Sequence, residues 1–118
     1  MSGRRERAER TGRRGEAIAA WWLRLQGWRI VAQRLKTPWG EVDLIARRGN
    51  TTIFVEVKWR ASADLLDQAV DPYRLRRVAA AAEAVAHRYA QPGDLVRIDV
   101  LLLAPWRFPR HLENALVA

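Results

Sequence analysis

The chain has 118 residues, a length typical of one domain, and 49% of them are hydrophobic. It contains no cysteine, which excludes disulfide bonds and thiolate metal sites. Its 21 lysine and arginine residues outnumber 13 acidic ones, and a net charge of +8 on a small domain favours nucleic acid as a partner. An arginine-rich overall composition would give the same charge, so the charge alone does not decide the question.

No segment reaches the roughly 20 apolar residues that are needed to span a membrane. The basic N-terminus is not followed by the apolar region of a secretory signal. The sequence therefore predicts a cytoplasmic protein without a membrane partner.

The N-terminal third begins with a basic segment and continues as a helix. Residues 1–14 contain six arginines and no periodic apolar face, which predicts a flexible basic arm. A helix is predicted from Arg13 to Gln26. Ala17, Trp21 and Leu25 recur at helical spacing and form its expected buried stripe.

Three strands are predicted next, at Trp28 to Arg34, Glu41 to Arg48 and Thr51 to Arg60. On the first strand, alternation predicts Trp28, Ile30 and Ala32 on one face. Gly49 and Asn50, between the second and third strands, supply the residues that a tight hairpin needs. The second and third strands are therefore expected to be neighbours.

A second helix is predicted to begin at Asp71 and Pro72, which are favourable N-cap and first-turn residues, and to end near Ala90. A last strand, from Leu95 to Leu103, is apolar on both faces and should lie inside a sheet. Residues 61–70 are compatible with a loop or a short helical turn.

The predicted order is α-β-β-β-α-β, an α/β fold in which helices flank a mixed central sheet. The corresponding divisions are an arm (1–14), a domain (15–104) and a C-terminal tail without a recognisable pattern (105–118).

A group of charged residues on the predicted hairpin carries the chemistry. Glu41 and Asp43 share one face of the second strand, with Val42 and Leu44 on the other, because side chains alternate along a strand. Glu56 and Lys58 share a face of the third strand for the same reason. Cross-strand neighbours lie about 5 Å apart, so Asp43, Glu56 and Lys58 can converge if the register matches.

Two adjacent carboxylates repel each other unless a cation neutralises them. Oxygen ligands of this kind suit Mg²⁺ or Mn²⁺, which can polarise a phosphoryl oxygen and activate water. A lysine beside them can orient the water and stabilise developing negative charge. A surface ion pair is the simple alternative for Glu56 and Lys58 alone, but the complete pattern over a hairpin with apolar flanks favours a metal-dependent nuclease site.

Four segments carry a resemblance to known proteins: Gly15-Glu16-Ala17, Gly40-Glu41-Val42-Asp43-Leu44-Ile45-Ala46, Phe54-Val55-Glu56-Val57-Lys58-Trp59-Arg60 and Arg97-Ile98-Asp99-Val100. They resemble the PD-(D/E)xK nuclease superfamily, whose signature is an acid on one strand and acid-x-lysine on the next. More closely, the chain is similar to the YraN-like family of uncharacterised bacterial proteins (UPF0102 type), which is similar in fold to Holliday junction resolvases. The resemblance covers about Gly15 to Leu103.

The resemblance implies a restriction-endonuclease-like core and a set of site residues. Asp43 and Glu56 would bind Mg²⁺ or Mn²⁺, with the backbone carbonyl of Val57 as a further ligand. Lys58 would serve the attacking water, and Glu16, on the first helix, would face the same site as a catalytic residue that holds a metal-bound water. Glu41 would have a positioning role.

The chain departs from the family pattern at two places. The segment Ala61 to Leu66 lacks the usual glycine-containing loop, and Arg74 stands where a lysine is expected. Neither difference changes the proposed metal ligands.

Basic and aromatic residues around the site predict contacts with nucleic acid, although a solvated basic surface is the alternative. Arginines would contact phosphates, and Trp39 in the turn before Glu41 could stack on a base. The predicted contact residues are Arg13, Arg14, Trp39, Arg60, Arg74 and Arg77. Gln68 is a further guess at a site residue.

Three other polar residues are not expected to belong to the site. His87 and His111 have no metal-ligand spacing and are expected to be structural or exposed. Asp99 alternates with apolar neighbours, which most simply indicates a satisfied polar position on the last strand.

Three functions are compatible with this sequence. The first is a Mg²⁺-dependent endonuclease that cuts DNA rather than RNA, including branched or repair and recombination intermediates; cutting two strands of a junction would call for a homodimer. The second is a catalytically silent nucleic-acid-binding module of the same fold. The third is an adaptor whose basic faces bind acidic proteins.

Overall fold

The chain folds into two helices and five strands over the residues that a computed structural model describes, 2–61 and 71–115, with side chains described from Arg14 onward. These elements are α1 (Ser2–Leu25), β1 (Arg29–Lys36), β2 (Glu41–Arg48), β3 (Thr51–Trp59), α2 (Pro72–Tyr89), β4 (Leu95–Leu103) and β5 (Arg110–Leu112). The predicted order α-β-β-β-α-β is confirmed, and β5 is an addition that the sequence did not predict. No described helix is long and apolar enough to cross a membrane.

The strands form one mixed sheet in the order β1-β2-β3-β4-β5. Only β3 and β4 are parallel, and α2 is part of the crossover that connects them. Side chains from the two faces of this sheet form separate clusters, one with α1 and the other with α2. The predicted α/β fold with helices flanking a mixed sheet is therefore confirmed.

Helix α1 begins earlier and buries a different face than the sequence predicts, so both predictions are wrong. The helix extends back to Ser2, so residues 2–14, assigned to a flexible arm, continue it; their mobility stays a prediction. Trp21 and Leu25, members of the expected buried stripe, are 64% and 76% exposed. Ala19 and Leu23 are buried instead, so the face of α1 that contacts the sheet is offset from the predicted stripe.

The six tryptophans divide between the core and the surface. Trp22, Trp28 and Trp59 pack in the cluster beneath α1. Trp39 is 56% exposed in the turn between β1 and β2, where it remains available for stacking.

Strand β1 does not keep one face toward one helix. Its register with β2 shifts between Ile30 and Ala32, which indicates a β-bulge. Ile30 packs in the cluster beneath α1, whereas Ala32 packs in the cluster beneath α2. The prediction that Trp28, Ile30 and Ala32 share a face is therefore wrong, because the extra residue of the bulge reverses the alternation.

The second helix begins where its capping residues predict. The Asp71 carboxylate accepts a hydrogen bond from the backbone N–H of Tyr73 at 2.9 Å, and Pro72 occupies the first turn. Gly49, with a positive φ of 59°, lies in the turn between β2 and β3. The Gly49 turn thus leads into β3, and the Asp71 cap begins α2, as the sequence predicts.

Asp99 attaches the C-terminal segment to the sheet. Its buried carboxylate contacts His111 Nε2 at 2.7 Å and accepts hydrogen bonds from the Asn114 backbone N–H and Arg97, each at 2.9 Å. Burial disfavours the charged form, but the hydrogen bonds from His111, Asn114 and Arg97 outweigh it and lower the pKa of Asp99. The interpretation of Asp99 as a satisfied polar position is confirmed, and His111 is its partner on β5.

Gly40 brings the turn before β2 into direct contact with α2. A β-carbon at this position would lie 2.6 Å from the backbone oxygen of Arg77, too close for any side chain. The turn is closed by Thr37, whose hydroxyl donates to the Gly40 carbonyl at 2.7 Å. Gly40 thus sets the distance between α2 and the first residues of β2.

We expect Gly40→Ala to destabilise the fold by about 1–3 kcal/mol, because α2 must move to accommodate the methyl group. Gly15→Ala is the matched control, since its new β-carbon would meet Trp59 at an ordinary 3.6 Å. That change should be neutral or stabilising by up to about 1 kcal/mol, since alanine favours helix. Urea unfolding measures both; equal effects of the two substitutions would contradict the assigned role of Gly40.

Candidate active site

The site forms where β2 and β3 separate. Their backbone pairing runs from Arg48–Thr51 to Leu44–Val55 and continues no further. At the next position the Asp43 carboxylate accepts a hydrogen bond from the Val57 backbone N–H at 2.7 Å. A side chain thus takes the place of a strand partner, and Asp43 is held beside the third strand.

This separation corrects one prediction about the faces of β2. Leu44 packs beneath α1, whereas Val42 packs beneath α2 together with Ile45. Val42 and Leu44 therefore do not share a face, because the regular alternation of β2 is interrupted where its pairing with β3 ends.

Glu56 is a buried acid between two cations. The residue is 2% exposed, and its Oε1 atom lies 3.1 Å from Lys58 Nζ and 3.0 Å from Arg74 Nε. Neither contact has the geometry of a hydrogen bond, and neither carboxylate oxygen accepts one within the described part of the chain. Two cations thus offset the charge of Glu56, but its oxygens keep unused acceptor capacity, which is costly inside a protein and can accommodate a further ligand.

The surroundings of Asp43 oppose its ionisation. Burial, then the charge of Glu56 and that of Glu16, raise the pKa of Asp43 from 3.8 to about 7. The Val57 N–H and the Arg74 guanidinium act in the opposite direction but do not compensate. Asp43 is therefore only partly ionised near neutral pH, and a divalent ion bound there would favour its charged form.

Glu16 lies in the same cleft but is already paired. Its carboxylate makes an ion pair with Arg34 of β1, and both residues line a cleft of about 160 Å³ with Lys36, Glu41, Val42 and Asp43. Arg34 has a positive φ of 55°, an uncommon conformation for a non-glycine residue. Sequence analysis missed Arg34, because an arginine on a strand usually indicates only a solvent-facing position.

The donor set suits a hard cation that keeps much of its water. Within residues 2–61 and 71–115 no group of three or more histidine, aspartate or glutamate residues is arranged to hold a metal. Asp43 and Glu56 supply two carboxylates, which is the number that Mg²⁺ commonly takes from a protein. The Val57 peptide lies beside Asp43, and the role of its carbonyl stays a prediction.

The predicted nucleic-acid contacts lie in several places. Arg74 and Arg77, on the first turns of α2, line a cleft with Glu41. Arg60 is half-buried, and its guanidinium donates to the Trp59 carbonyl. Arg14 is exposed on α1, while the Arg13 side chain and Gln68 lie outside the described residues. Their contacts with nucleic acid stay predictions.

Comparison with known proteins identifies the family. A family model described as "Uncharacterised protein family UPF0102" matches residues 15–103. The chain belongs to this family.

Three curated UPF0102 proteins are similar to this chain over nearly its whole length. The one from Sphingopyxis alaskensis is 68% identical over 93% of this chain and 95% of its own length. The Erythrobacter litoralis protein is 63% identical over 95% and 97% of the two lengths. The Rhizorhabdus wittichii protein is 66% identical over 94% of each. The match to the UPF0102 model includes Glu16, Asp43, Glu56 and Lys58.

The raised pKa of Asp43 predicts a pH-dependent stability for this UPF0102 protein. Without metal, the folded protein keeps a proton on Asp43 that the unfolded chain releases near pH 4. This proton adds up to about 4 kcal/mol to the free energy of unfolding below pH 4. The contribution is lost as the pH rises through about 7. Urea unfolding in EDTA should therefore give a lower free energy of unfolding at pH 8 than at pH 5.

Asp43→Asn should flatten this pH dependence, because asparagine does not titrate. Its side-chain oxygen can still accept the Val57 hydrogen bond, so the local structure is kept. Glu83→Gln, a change at an exposed acid of α2, should leave it intact. Mg²⁺ or Mn²⁺ should stabilise the wild-type protein more at pH 8 than at pH 5, because the metal binds the ionised carboxylate. Parallel pH profiles for wild type and Asp43→Asn would contradict the interpretation.

Proposed function

We propose that the protein is a divalent-metal-dependent nuclease that hydrolyses phosphodiester bonds in DNA. The observation that carries the proposal is the pair of acids at the end of the β2–β3 ladder. Glu56 is buried with neither oxygen hydrogen-bonded by a described residue, and Asp43 beside it is costly to ionise. Such an arrangement lowers stability and is best explained by a bound cation.

The chain's own residues have distinct roles in this proposal. Asp43 and Glu56 would hold Mg²⁺ or Mn²⁺, with the Val57 carbonyl nearby. Bound there, the ion would supply electrophilic activation of the scissile phosphate. The Lys58 ammonium, 14% exposed and next to Glu56, would orient the attacking water and stabilise negative charge on the phosphate. Glu16 would keep Arg34 in the cleft rather than bind the ion directly.

Charge and shape around the acids support a nucleic-acid substrate. Lys36 and Arg34 line one cleft beside Asp43, and Arg74 and Arg77 line another. These side chains can contact phosphates on either side of the scissile bond. The proposal favours DNA over RNA, a cytoplasmic location, and a homodimer for substrates that are cut on two strands, such as branched repair or recombination intermediates.

One observation favours a second candidate, a nucleic-acid-binding module without turnover. Lys58 and Arg74 both lie within 3.1 Å of the same Glu56 oxygen, so the chain itself supplies cations that reduce the cost of burying this acid. If these residues are sufficient, the site needs no metal. Metal binding at Asp43 therefore separates the two candidates.

The decisive experiment measures cleavage of linear duplex, single-stranded and four-way-junction DNA with Mg²⁺ or Mn²⁺. Lys58→Ala and Asp43→Asn should each reduce cleavage by about 100-fold or more, because they remove charge stabilisation and a metal ligand. Arg88→Ala and Glu83→Gln, at exposed positions of α2, are the matched controls and should cleave normally. Unfolding curves of all variants exclude loss of fold as the cause.

Two results would reject the nuclease proposal. One is no cleavage of any DNA by the wild-type protein together with metal affinity that Asp43→Asn does not change. The other is cleavage that survives in both site variants, which would indicate a contaminating nuclease. DNA binding without cleavage or metal binding would support the second candidate.

A further inference from the structure

A second cleft opens beside the acids, between the first turns of α2 and the start of β2. Its volume is about 350 Å³, within the range of small-ligand sites. Its lining combines the aromatic ring of Tyr73, the carboxylate of Glu41 and the apolar Val78 with two guanidinium groups. The guanidinium groups belong to Arg74 and Arg77. Tyr73 is 61% exposed, so its ring is free to contact a ligand.

We propose that this cleft binds one unpaired nucleotide next to the scissile phosphate, so that the preferred substrates are nucleic acids with an unpaired base at the cleavage point. The inference rests on the proposed nuclease function and specifies its substrate class. Tyr73 would stack on the base, Arg77 would contact the adjoining phosphate, and Glu41 would accept a hydrogen bond from the base edge.

The position of Arg74 connects this cleft to the acids. Arg74 lines the cleft, and its Nε atom is 3.0 Å from Glu56 Oε1. Glu41 lines both this cleft and the smaller one that contains Asp43 and Glu16. A nucleotide in the larger cleft would therefore have its phosphate beside the two acids.

Glu41 indicates that the occupant is a base rather than a second phosphate. A carboxylate repels a phosphate, but it accepts hydrogen bonds from the exocyclic amino group of cytosine or adenine. Val78 lines the cleft, and the exposed ring of Tyr73 supplies apolar surface, which suits a base and not an anion. The cleft thus offers separate contacts to the two parts of a nucleotide.

The cleft does not suit a base that remains in a duplex. A paired base is stacked between its neighbours, and its ring face becomes accessible only when it is unpaired or flipped out. Stacking on an aromatic side chain is a common mode of recognition for single-stranded segments. The close contact of Gly40 with Arg77 fixes the spacing of the cleft walls before any ligand binds.

The test measures binding in EDTA, so that it does not depend on cleavage. The probes are a perfect duplex and the same duplex with one unpaired 2-aminopurine, a fluorescent adenine analogue. Wild-type protein should bind the second probe more tightly and quench its fluorescence. Tyr73→Ala should weaken that binding about tenfold and abolish the quenching, without changing duplex binding. Tyr73→Phe should behave like wild type.

Trp21→Ala is the matched control, because Trp21 is an equally exposed aromatic residue (64%) on the opposite helix. Equal losses on both probes in Tyr73→Ala, or quenching that survives in it, would overturn the inference while leaving the nuclease proposal intact. Wild-type protein that binds neither probe and cuts no DNA would reject the nuclease proposal itself.

The assigned role of Glu41 gives a second test of the same proposal. With one unpaired base varied, wild type should bind cytosine or adenine about fivefold more tightly than thymine, whose N–H lies between two carbonyl oxygens. Glu41→Ala should remove this preference. If Glu41→Ala instead strengthens binding to every probe equally, Glu41 only repels phosphate, and the assignment of a base to the cleft is overturned.

Discussion

The end of the β2–β3 ladder is the constraint on which the site depends. Beyond the Leu44–Val55 pair the two strands separate, and the Asp43 carboxylate bonds to the Val57 N–H. This hydrogen bond fixes Asp43 beside Glu56, where burial and mutual repulsion oppose ionisation. A continued ladder would satisfy Val57 with backbone and leave Asp43 free to turn away, so the interruption of the sheet creates the site.

Helix α2 completes the electrostatics of that site. Its N-cap at Asp71 places Arg74 one turn later, against the Glu56 oxygen that Lys58 of β3 also contacts. Lys58 and Arg74 both contact the same Glu56 oxygen, whereas no described residue forms an ion pair with Asp43. The two acids are therefore compensated unequally, and a bound divalent ion would correct the imbalance at Asp43 in particular.

The sequence predicted those parts of the fold that local chemistry determines. Gly49 in the hairpin and the Asp71 cap fixed the elements on either side of the acids, so Asp43, Glu56 and Lys58 could be grouped correctly. The β1 bulge and the end of the β2–β3 ladder could not be predicted, because alternation of polar and apolar residues assumes regular pairing. Likewise, Trp21 fits the helical spacing of apolar residues, but the face of α1 that packs on the sheet carries Ala19 and Leu23 instead.

Arg34 shows why partners from distant parts of the chain are hardest to predict. A left-handed backbone at a non-glycine residue costs about 1 kcal/mol or more, so surrounding contacts must maintain it. The ion pair with Glu16, eighteen residues earlier, is such a contact. It also reduces the free negative charge near Asp43, which Glu16 would otherwise destabilise further. The strain in β1 is therefore part of how the fold tolerates three acids in one cleft.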